Sequence, residues 1–513
     1  MHTFDIKFSL VFIILFQCSL MAYSQKKNLD ANQIQNLTTK HIAGSYPELI
    51  EFLSIPNDAH YPEDIKKNLD WLEKAFLKRN FACTILPNEG NPVFYASREV
   101  DKAKKTVLFY MHFDGQPVDP SKWGQENPYK PVIKEKNEQG KWVNINNENP
   151  LQNPDKEWRI FARSASDDKS PIIMFLTALD ILDKEKIKPA YNIKVILDSE
   201  EEIGSPNLSS LVQKVKEHLK ADALVIFDGP RHISNQPTLQ FGCRGIISLS
   251  LTVFGPKFSQ HSGHYGNYAP NPALVLSQML ASMKDEKGRV LIKGFYDGIE
   301  LDDQTKKIMA AVPDNEQEIM EKIGIAEADK VGNNYQEALQ YPSLNIDGIS
   351  SGWVGKEART IVPATATANL DIRLVPESDP VRLLQLLKDH ITAQGFYLTE
   401  NEPTDEERKK YPKIATFQYQ ISMMPFRTEL DSETGKWLIS ALKRTFEQEP
   451  VKIRIAGGSV PIAPFIKTLN IPAMLVPLVN ADNNQHSPNE NLRIGNYIDG
   501  VRTCLGIMVM EIR

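Results

Sequence analysis

His112 and Asp114 close the segment KTVLFYMHFD, Lys105 to Asp114, and between them they offer an imidazole and a carboxylate two positions apart. Such groups serve as metal donors and as acid–base catalysts. The run Thr106 to Met111 is rich in β-formers and reads as a buried strand. Residues i and i+2 of a strand share a face, so His112 and Asp114 sit together at its carboxyl end, the edge where open α/β sheets carry their chemistry. A histidine and an acid at a strand end are also ordinary polar punctuation. The reading therefore depends on other strand ends delivering matching groups.

Several do. In RIFARSASDDKSP, Arg159 to Pro171, Asp167 and Asp168 precede the helically spaced apolar residues of Ile172 to Leu182. Either one of them caps that helix, or a carboxylate projects towards the same sheet edge. Tyr191 to Leu197 alternates as a strand and runs into Glu200, Glu201 and Glu202. Adjacent acids repel one another, so this turn is either solvated or close to a cation. The strand Ala223 to Phe227 ends at Asp228, and the strand Ala473 to Val479 opens into NADNNQHSPNEN, Asn480 to Asn491, which carries His486. Imidazole and carboxylate donors without thiolate suit Zn²⁺ or Mn²⁺ in an open, catalytic arrangement. One shared carboxylate with a further histidine and acid for each ion makes a two-metal site.

The elements that must position these groups follow from periodicity. Tyr61 to Arg79 has the spacing of an amphipathic helix, and short strands follow at Ala82 to Leu86 and Val93 to Ala96. Pro117 to Glu157 is long and polar, and is expected to lie as a loop over the site. After Gly242 the pattern changes. The strand Ile246 to Phe254, the helix Pro272 to Met283, strands at Ser343 to Trp353 and Pro363 to Leu374, the helix Pro380 to Gln394 and the strand Phe417 to Met423 give a βαββαβ order. Asp285 to Tyr341 reads as a mostly helical elaboration of it. The alternation then resumes with Ser432 to Phe446, Val451 to Ile455, Ser459 to Leu469, the strand Ala473 to Val479 and a terminal helix. The expected fold is α/β: a catalytic domain of residues 25–242 and 422–513 with a mixed central sheet flanked by helices, interrupted at 243–421 by a ferredoxin-like α+β domain.

With 513 residues, 41% apolar and 24% charged, the chain is long enough for such a pair of domains. A formal charge of -6 gives no basic footprint, which argues against a nucleic-acid partner and gives no sign of a membrane surface. Lys7, the apolar run Phe8 to Phe16 and the small residues Ala22 and Ser24 read as a signal peptide over residues 1–24, so export with a mature start at Gln25 is expected. An uncleaved anchor is the alternative, but the run is short for a membrane span. Lipidation of Cys18 is another, opposed by the bulky Phe16 and Gln17 before it. Cys83, Cys243 and Cys504 remain, an odd number without CxxC spacing, and burial is expected for all three.

The ordered motifs MHFD (Met111 to Asp114), ASDDKSP (Ala165 to Pro171), EEIGS (Glu201 to Ser205), FD (Phe227-Asp228), HSGHYGN (His261 to Asn267), DIRLVP (Asp371 to Pro376), GGSVP (Gly457 to Pro461) and HSPNE (His486 to Glu490) cover nearly the whole mature chain. In this set the chain resembles the carnosinase and nonspecific-dipeptidase branch of the co-catalytic zinc metallopeptidases, with a zinc-exopeptidase-like catalytic domain and an inserted lid. The resemblance implies that His112, Asp167 and Asp228 hold one metal and Asp167, Glu202 and His486 the other, with Asp167 bridging. The ions would be zinc, with manganese as the alternative. It also implies a cis peptide between Asp167 and Asp168, Asp114 orienting His112, and Glu201 as general base towards a metal-bridging hydroxide. Glu200 is most simply solvated.

The same resemblance assigns oxyanion stabilisation to His261 of a second subunit, with Thr360 beside it, and a homodimer formed through the inserted domain. Arg373 would grip the substrate carboxylate, and Ser459 with Gly457 and Gly458, placed at a helix start, would add donors. The implied activity is exopeptidase cleavage of dipeptides or short peptides with a free carboxyl terminus; the alternative is an N-acyl-amino-acid amidohydrolase using the same metals. One departure stands out: relatives carry a histidine in the turn after the last inserted strand, whereas Ser422 to Gly435 here has none and offers Arg427 instead.

Overall fold

The computed structural model describes residues 29–145 and 150–512. The expected signal segment and Cys18 lie outside the described residues. The larger sheet has eight strands, in the order Ala82–Leu86, Val93–Arg98, Asn192–Asp198, Thr106–His112, Ala223–Ile226, Ala473–Leu475, Thr238–Gln240, Val451–Ile453. Its centre is parallel, from Asn192–Asp198 across to Ala473–Leu475, while the Ala82–Leu86 edge is antiparallel.

Alternation along Thr106–His112 explains why the sheet is covered on both sides. Val107, Phe109 and Met111 enter one apolar core and Leu108 and Tyr110 another, all fully buried. Lys169–Lys184 and Ile494–Met508 fill the first core, and Leu208–Lys214 with Ala463–Leu469 cover the second. Lys169–Lys184 is apolar around most of its circumference because it is sandwiched between the sheet and Ile494–Met508. A Cβ at Gly500 would collide with the Met174 side chain, so glycine there lets that methionine pack between the two helices.

The βαββαβ expectation holds. Gly245–Phe254, Ser343–Ser350, Thr365–Leu374 and Ile414–Met423 form a five-stranded sheet with Tyr397–Thr399 added in parallel at one edge. The strands of the repeat lie in the order second, third, first, fourth, and are antiparallel. Pro272–Ala281 and Pro380–Ala393 pack on one face around Leu251, Leu276, Leu370 and Leu387.

Two expectations are corrected. Pro117 to Glu157 is not a plain loop: Val132–Lys136 and Trp142–Asn144 join Arg159–Phe161 and Asn491–Arg493 in a four-stranded antiparallel sheet. Its lysines hid it, because the amine of Lys134 lies 4.7 Å over the Phe161 ring and that of Lys136 5.1 Å over Trp142, charged groups set on aromatic faces. The helix expected from Ser459 begins only at Ala463, so Gly457 to Ser459 form a turn ahead of it and present no helix start. Pro461 explains the delay, since it biases Val460 away from helical torsions. Cys243 and Cys504 are buried as expected, while Cys83 is only partly so.

Candidate active site

The carboxyl ends of the parallel strands converge. His112 ends its strand opposite Asp198, Asp228 follows Ala223–Ile226, and Asp167 lies just ahead of Lys169–Lys184. Glu201 and Glu202 stand in a single turn of 3₁₀ helix, and His486 comes from the loop after Ala473–Leu475. Two groups of potential donors result, His112 with Asp167 and Asp228, and Asp167 with Glu202 and His486, each with its ligand atoms within 4.8 Å of one another. Asp167 belongs to both. Its Oδ1 lies 2.9 Å from His112 Nε2 and its Oδ2 3.1 Å from His486 Nε2, which is also 3.2 Å from Glu202 Oε2. The Asp167–Asp168 peptide is cis.

Supporting contacts fix these side chains. Asp114, fully buried, faces His112 Nδ1 at 3.3 Å and accepts the backbone N–H groups of Glu201 at 3.1 Å and Glu202 at 3.0 Å. It therefore aims the imidazole and the acidic turn together, a wider role than the sequence suggests. Gln116 donates to Glu202 Oε2 at 2.8 Å.

The electrostatics are those of crowded acids. Burial, followed by repulsion from Asp167, lifts Glu202 to about 8 and Asp228 to about 6. Burial likewise raises Glu201 and Asp168 well above the usual carboxylate range. At Asp167 burial is outweighed by hydrogen bonds from His112 and His486, which hold it below that range. The hydrogen bond to Asp167 pushes His486 up to about 9. At His112 burial works towards the neutral form, yet bonds to Asp114 and Asp167 carry it well above the ordinary imidazole value. The carboxyls of Asp167, Asp168, Glu201, Glu202 and Asp228 thus face two imidazoles, an imbalance that divalent cations held by these nitrogen and oxygen donors would relieve. The residues present fit a pair of such ions.

Two further expectations are corrected here. Asp168 stands at the N-cap of Lys169–Lys184, but its side chain caps nothing and accepts the His112 backbone N–H at 3.3 Å. Glu200 is not solvated: it is 6% exposed and accepts the Asn91 N–H at 2.8 Å, against a Gly90 backbone that leaves no room for a side chain.

Glu490 is the residue that sequence reasoning missed. Fully buried, it accepts the N–H groups of Ser164, Ser166 and Asp167 at 2.9, 2.8 and 2.9 Å and pairs with Arg163 at 2.7 Å. It thereby holds the backbone that presents Asp167. The available signal was its place as the last residue of HSPNE. Lys169 is a second such residue, its amine buried and donating to the carbonyls of Phe52 at 2.9 Å and Ile55 at 2.7 Å.

The remaining residues of interest fall into two places. Arg373, on the strand Thr365–Leu374, donates from Nη1 to Ser459 Oγ at 3.2 Å and meets Asp371 through Nε at 3.3 Å, while the Gly458 carbonyl accepts the Arg244 N–H at 3.2 Å, so a guanidinium and a hydroxyl lie together. Arg427 is engaged elsewhere, pairing with Glu377 at 2.8 Å. His261 lies on the small ribbon of Gln260–His261 and Ile361–Val362, with Thr360 just ahead of its second strand, and both are exposed. Their partners are local: His261 Nδ1 accepts the Gly263 N–H at 3.0 Å, and the Thr360 carbonyl accepts that of Ser262 at 3.0 Å.

Comparison with known proteins adds an independent line. Residues 108–509 match the family model described as Peptidase family M20/M25/M40. The chain is 27% identical to the Cys-Gly metallodipeptidase dug1 of Schizosaccharomyces pombe, over 80% of this chain and 81% of the relative. Among solved structures, the M20 family metallo-carboxypeptidase Sso-CP2 from Sulfolobus solfataricus superposes with a TM-score of 0.74 at 29% identity, covering 91% of this chain and 98% of that one. Human carnosine dipeptidase 1 shares the fold with a TM-score of 0.72 at 22% identity, covering 93% and 98%.

Proposed function

The chain belongs to peptidase family M20/M25/M40, and on that premise we propose how it works as a metal-dependent dipeptidase, an enzyme that hydrolyses the amide bond of dipeptides bearing a free carboxyl terminus. The observation that carries this reading is the pair of donor groups sharing Asp167 at the sheet edge. His112, Asp167 and Asp228 would hold one cation and Asp167, Glu202 and His486 the other. Zinc is favoured by the mixed imidazole and carboxylate donors. Bound there, such ions supply Lewis acidity and make a water nucleophilic at neutral pH. Cleavage of N-acyl amino acids is not favoured by relatives that are dipeptidases.

Glu201 serves as the general base. Its backbone is fixed through Asp114 and burial raises its affinity for a proton, so its carboxylate takes the proton of the attacking water and passes it to the leaving amine. Arg373 and Ser459 bind the substrate carboxylate as a charged fork and a hydroxyl. That anchor sets the scissile carbonyl near Glu201. His261, donated by a second copy of the chain, stabilises the oxyanion, with Thr360 beside it. The homodimer that this needs is supported by the edge strand Ser343–Ser350, exposed from Asn345 onwards, with Ile346 and Ile349 40% and 54% exposed. Export before Gln25 is supported by Lys7 and the apolar run Phe8 to Phe16.

Metal analysis combined with dipeptide hydrolysis tests the proposal. Exhaustive chelation is expected to abolish cleavage, and return of zinc to restore it with two ions per chain. Cleavage that survives chelation sinks the metal mechanism. Sedimentation and amino-terminal sequencing of the exported protein address the dimer and the leader.

A further inference from the structure

A cleft of about 780 Å³ opens beside the acidic turn. Ile203, Leu208, Met423, Phe426, Val460 and Ile466 lie in its wall, and Lys467 is the only charged side chain among its described lining residues. Three of its large apolar groups stay substantially exposed, Ile203 at 41%, Ile421 at 37% and Met424 at 43%. Apolar surface left to water in a concave site favours an apolar occupant.

Three connections place the cleft relative to the reaction. Ile203 follows Glu202 in the same 3₁₀ turn. Val460 follows Ser459, whose hydroxyl accepts from Arg373. In the inserted sheet Ile246 is paired with Arg373 on one side and Met423 on the other. Arg373 and Met423 therefore stand on one face, two strands or about 10 Å apart. The cleft borders both the acidic turn and the carboxylate anchor. In a dipeptide held at that anchor, the side chain nearest the carboxylate is that of the carboxyl-terminal residue, which branches from the same Cα. The amino-terminal side chain branches from the far side of the scissile amide.

We propose that this cleft receives the side chain of the substrate's carboxyl-terminal residue and selects apolar ones, of the size of leucine, methionine or phenylalanine. The inference rests on Arg373 and Ser459 binding the terminal carboxylate. Met423 and Met424 give the wall flexible, polarisable side chains, so branched and aromatic occupants are both accommodated. Arg427, the nearby cation of the same turn, is held by Glu377 and does not offset this apolar character.

The test compares kcat/KM of the metal-loaded full-length protein on Ala-Gly, Ala-Leu, Ala-Phe, Ala-Asp and Leu-Ala. Ala-Leu and Ala-Phe are expected to exceed Ala-Gly by on the order of 10- to 100-fold, with Ala-Asp below both. Ile466→Asp is expected to lower the ratio of Ala-Leu to Ala-Gly by about 10-fold, and Met424→Ser, at an exposed position, to lower it by less. Equal cleavage of Ala-Gly and Ala-Leu overturns the inference, as does a ratio that a folded Ile466→Asp protein leaves untouched. Leu-Ala preferred over Ala-Leu also overturns it, by moving the selected side chain to the amino-terminal residue. These results leave the dipeptidase reading intact, whereas no cleavage of any member of the panel removes that reading and the inference with it.

Discussion

The acidic cluster and the ribbon that carries His261 hold their histidines in opposite ways. His112 is fully buried, and its ring nitrogens meet the Asp114 carboxylate, which two backbone N–H groups hold, and the Asp167 carboxylate, whose own backbone N–H donates to Glu490. His261 is exposed, and among the described residues its ring accepts one hydrogen bond, from Gly263 two positions away. The first region is complete within one chain and is organised before substrate arrives. The second leaves its imidazole on a surface, where the proposed partner subunit would have to fix its position. Preorganised charge suits a place where cations and a base would have to be aimed.

The sharpest way to break this contrast is at Glu201, the proposed base. Glu201→Gln should lower kcat by about 10²- to 10⁴-fold while two metals remain bound, as read by steady-state rates and metal analysis. Unchanged turnover would remove it as the proton acceptor. Next, Glu490→Ala should show how far the cluster depends on its backing. Leaving Arg163 unpaired in the interior is expected to cost about 3–5 kcal/mol in a urea titration, and the displaced Asp167 should weaken metal affinity by about 10- to 100-fold. A variant with wild-type metal affinity would show that Asp167 is held by other means.

At the exposed region, His261→Ala should reduce kcat by about 10²- to 10³-fold and leave metal content and melting temperature where they were. If the metals were lost instead, the two regions would not be separable.

The smallest effect is expected far from both, at Arg79, whose guanidinium is buried between Glu48 and Asp180. Burial alone would raise the Glu48 carboxyl, but its hydrogen bond and attraction to Arg79 bring it below the usual range. A depressed folded value stabilises the protein at neutral pH, and that contribution is lost as the pH falls through it. Glu48→Gln should therefore flatten the acid limb of a melting-temperature profile without changing kcat at neutral pH.

Much of this was legible before the fold was known, because strand ends are marked by composition. Thr106 to Met111 and Ala223 to Phe227 are near-continuous apolar runs that stop at an acid or a histidine, so topology alone gathers His112 and Asp228. What stayed hidden has physical reasons. The strand Val132–Lys136 carries lysines that lie over the rings of Phe161 and of Trp142 on the neighbouring strand, which disguises its alternation. Glu200 looks solvated in an acidic run, and only the close approach of Gly90 shows that it is enclosed. Glu490 has no periodicity to betray it; its importance lies in three backbone donors from a segment more than three hundred residues earlier. Asp168 sits where caps belong, yet its carboxyl turns to the neighbouring strand.

The order of strands in the larger sheet has a consequence for biosynthesis. Ala473–Leu475 lies between Ala223–Ile226 and Thr238–Gln240, so a strand translated near the end of the message fills a slot flanked by strands made much earlier. Until it emerges from the ribosome, the growing chain carries a gap with bare hydrogen-bonding edges on either side. Completion of the sheet and arrival of His486 come almost together, so a prematurely terminated polypeptide would be both adhesive and inert.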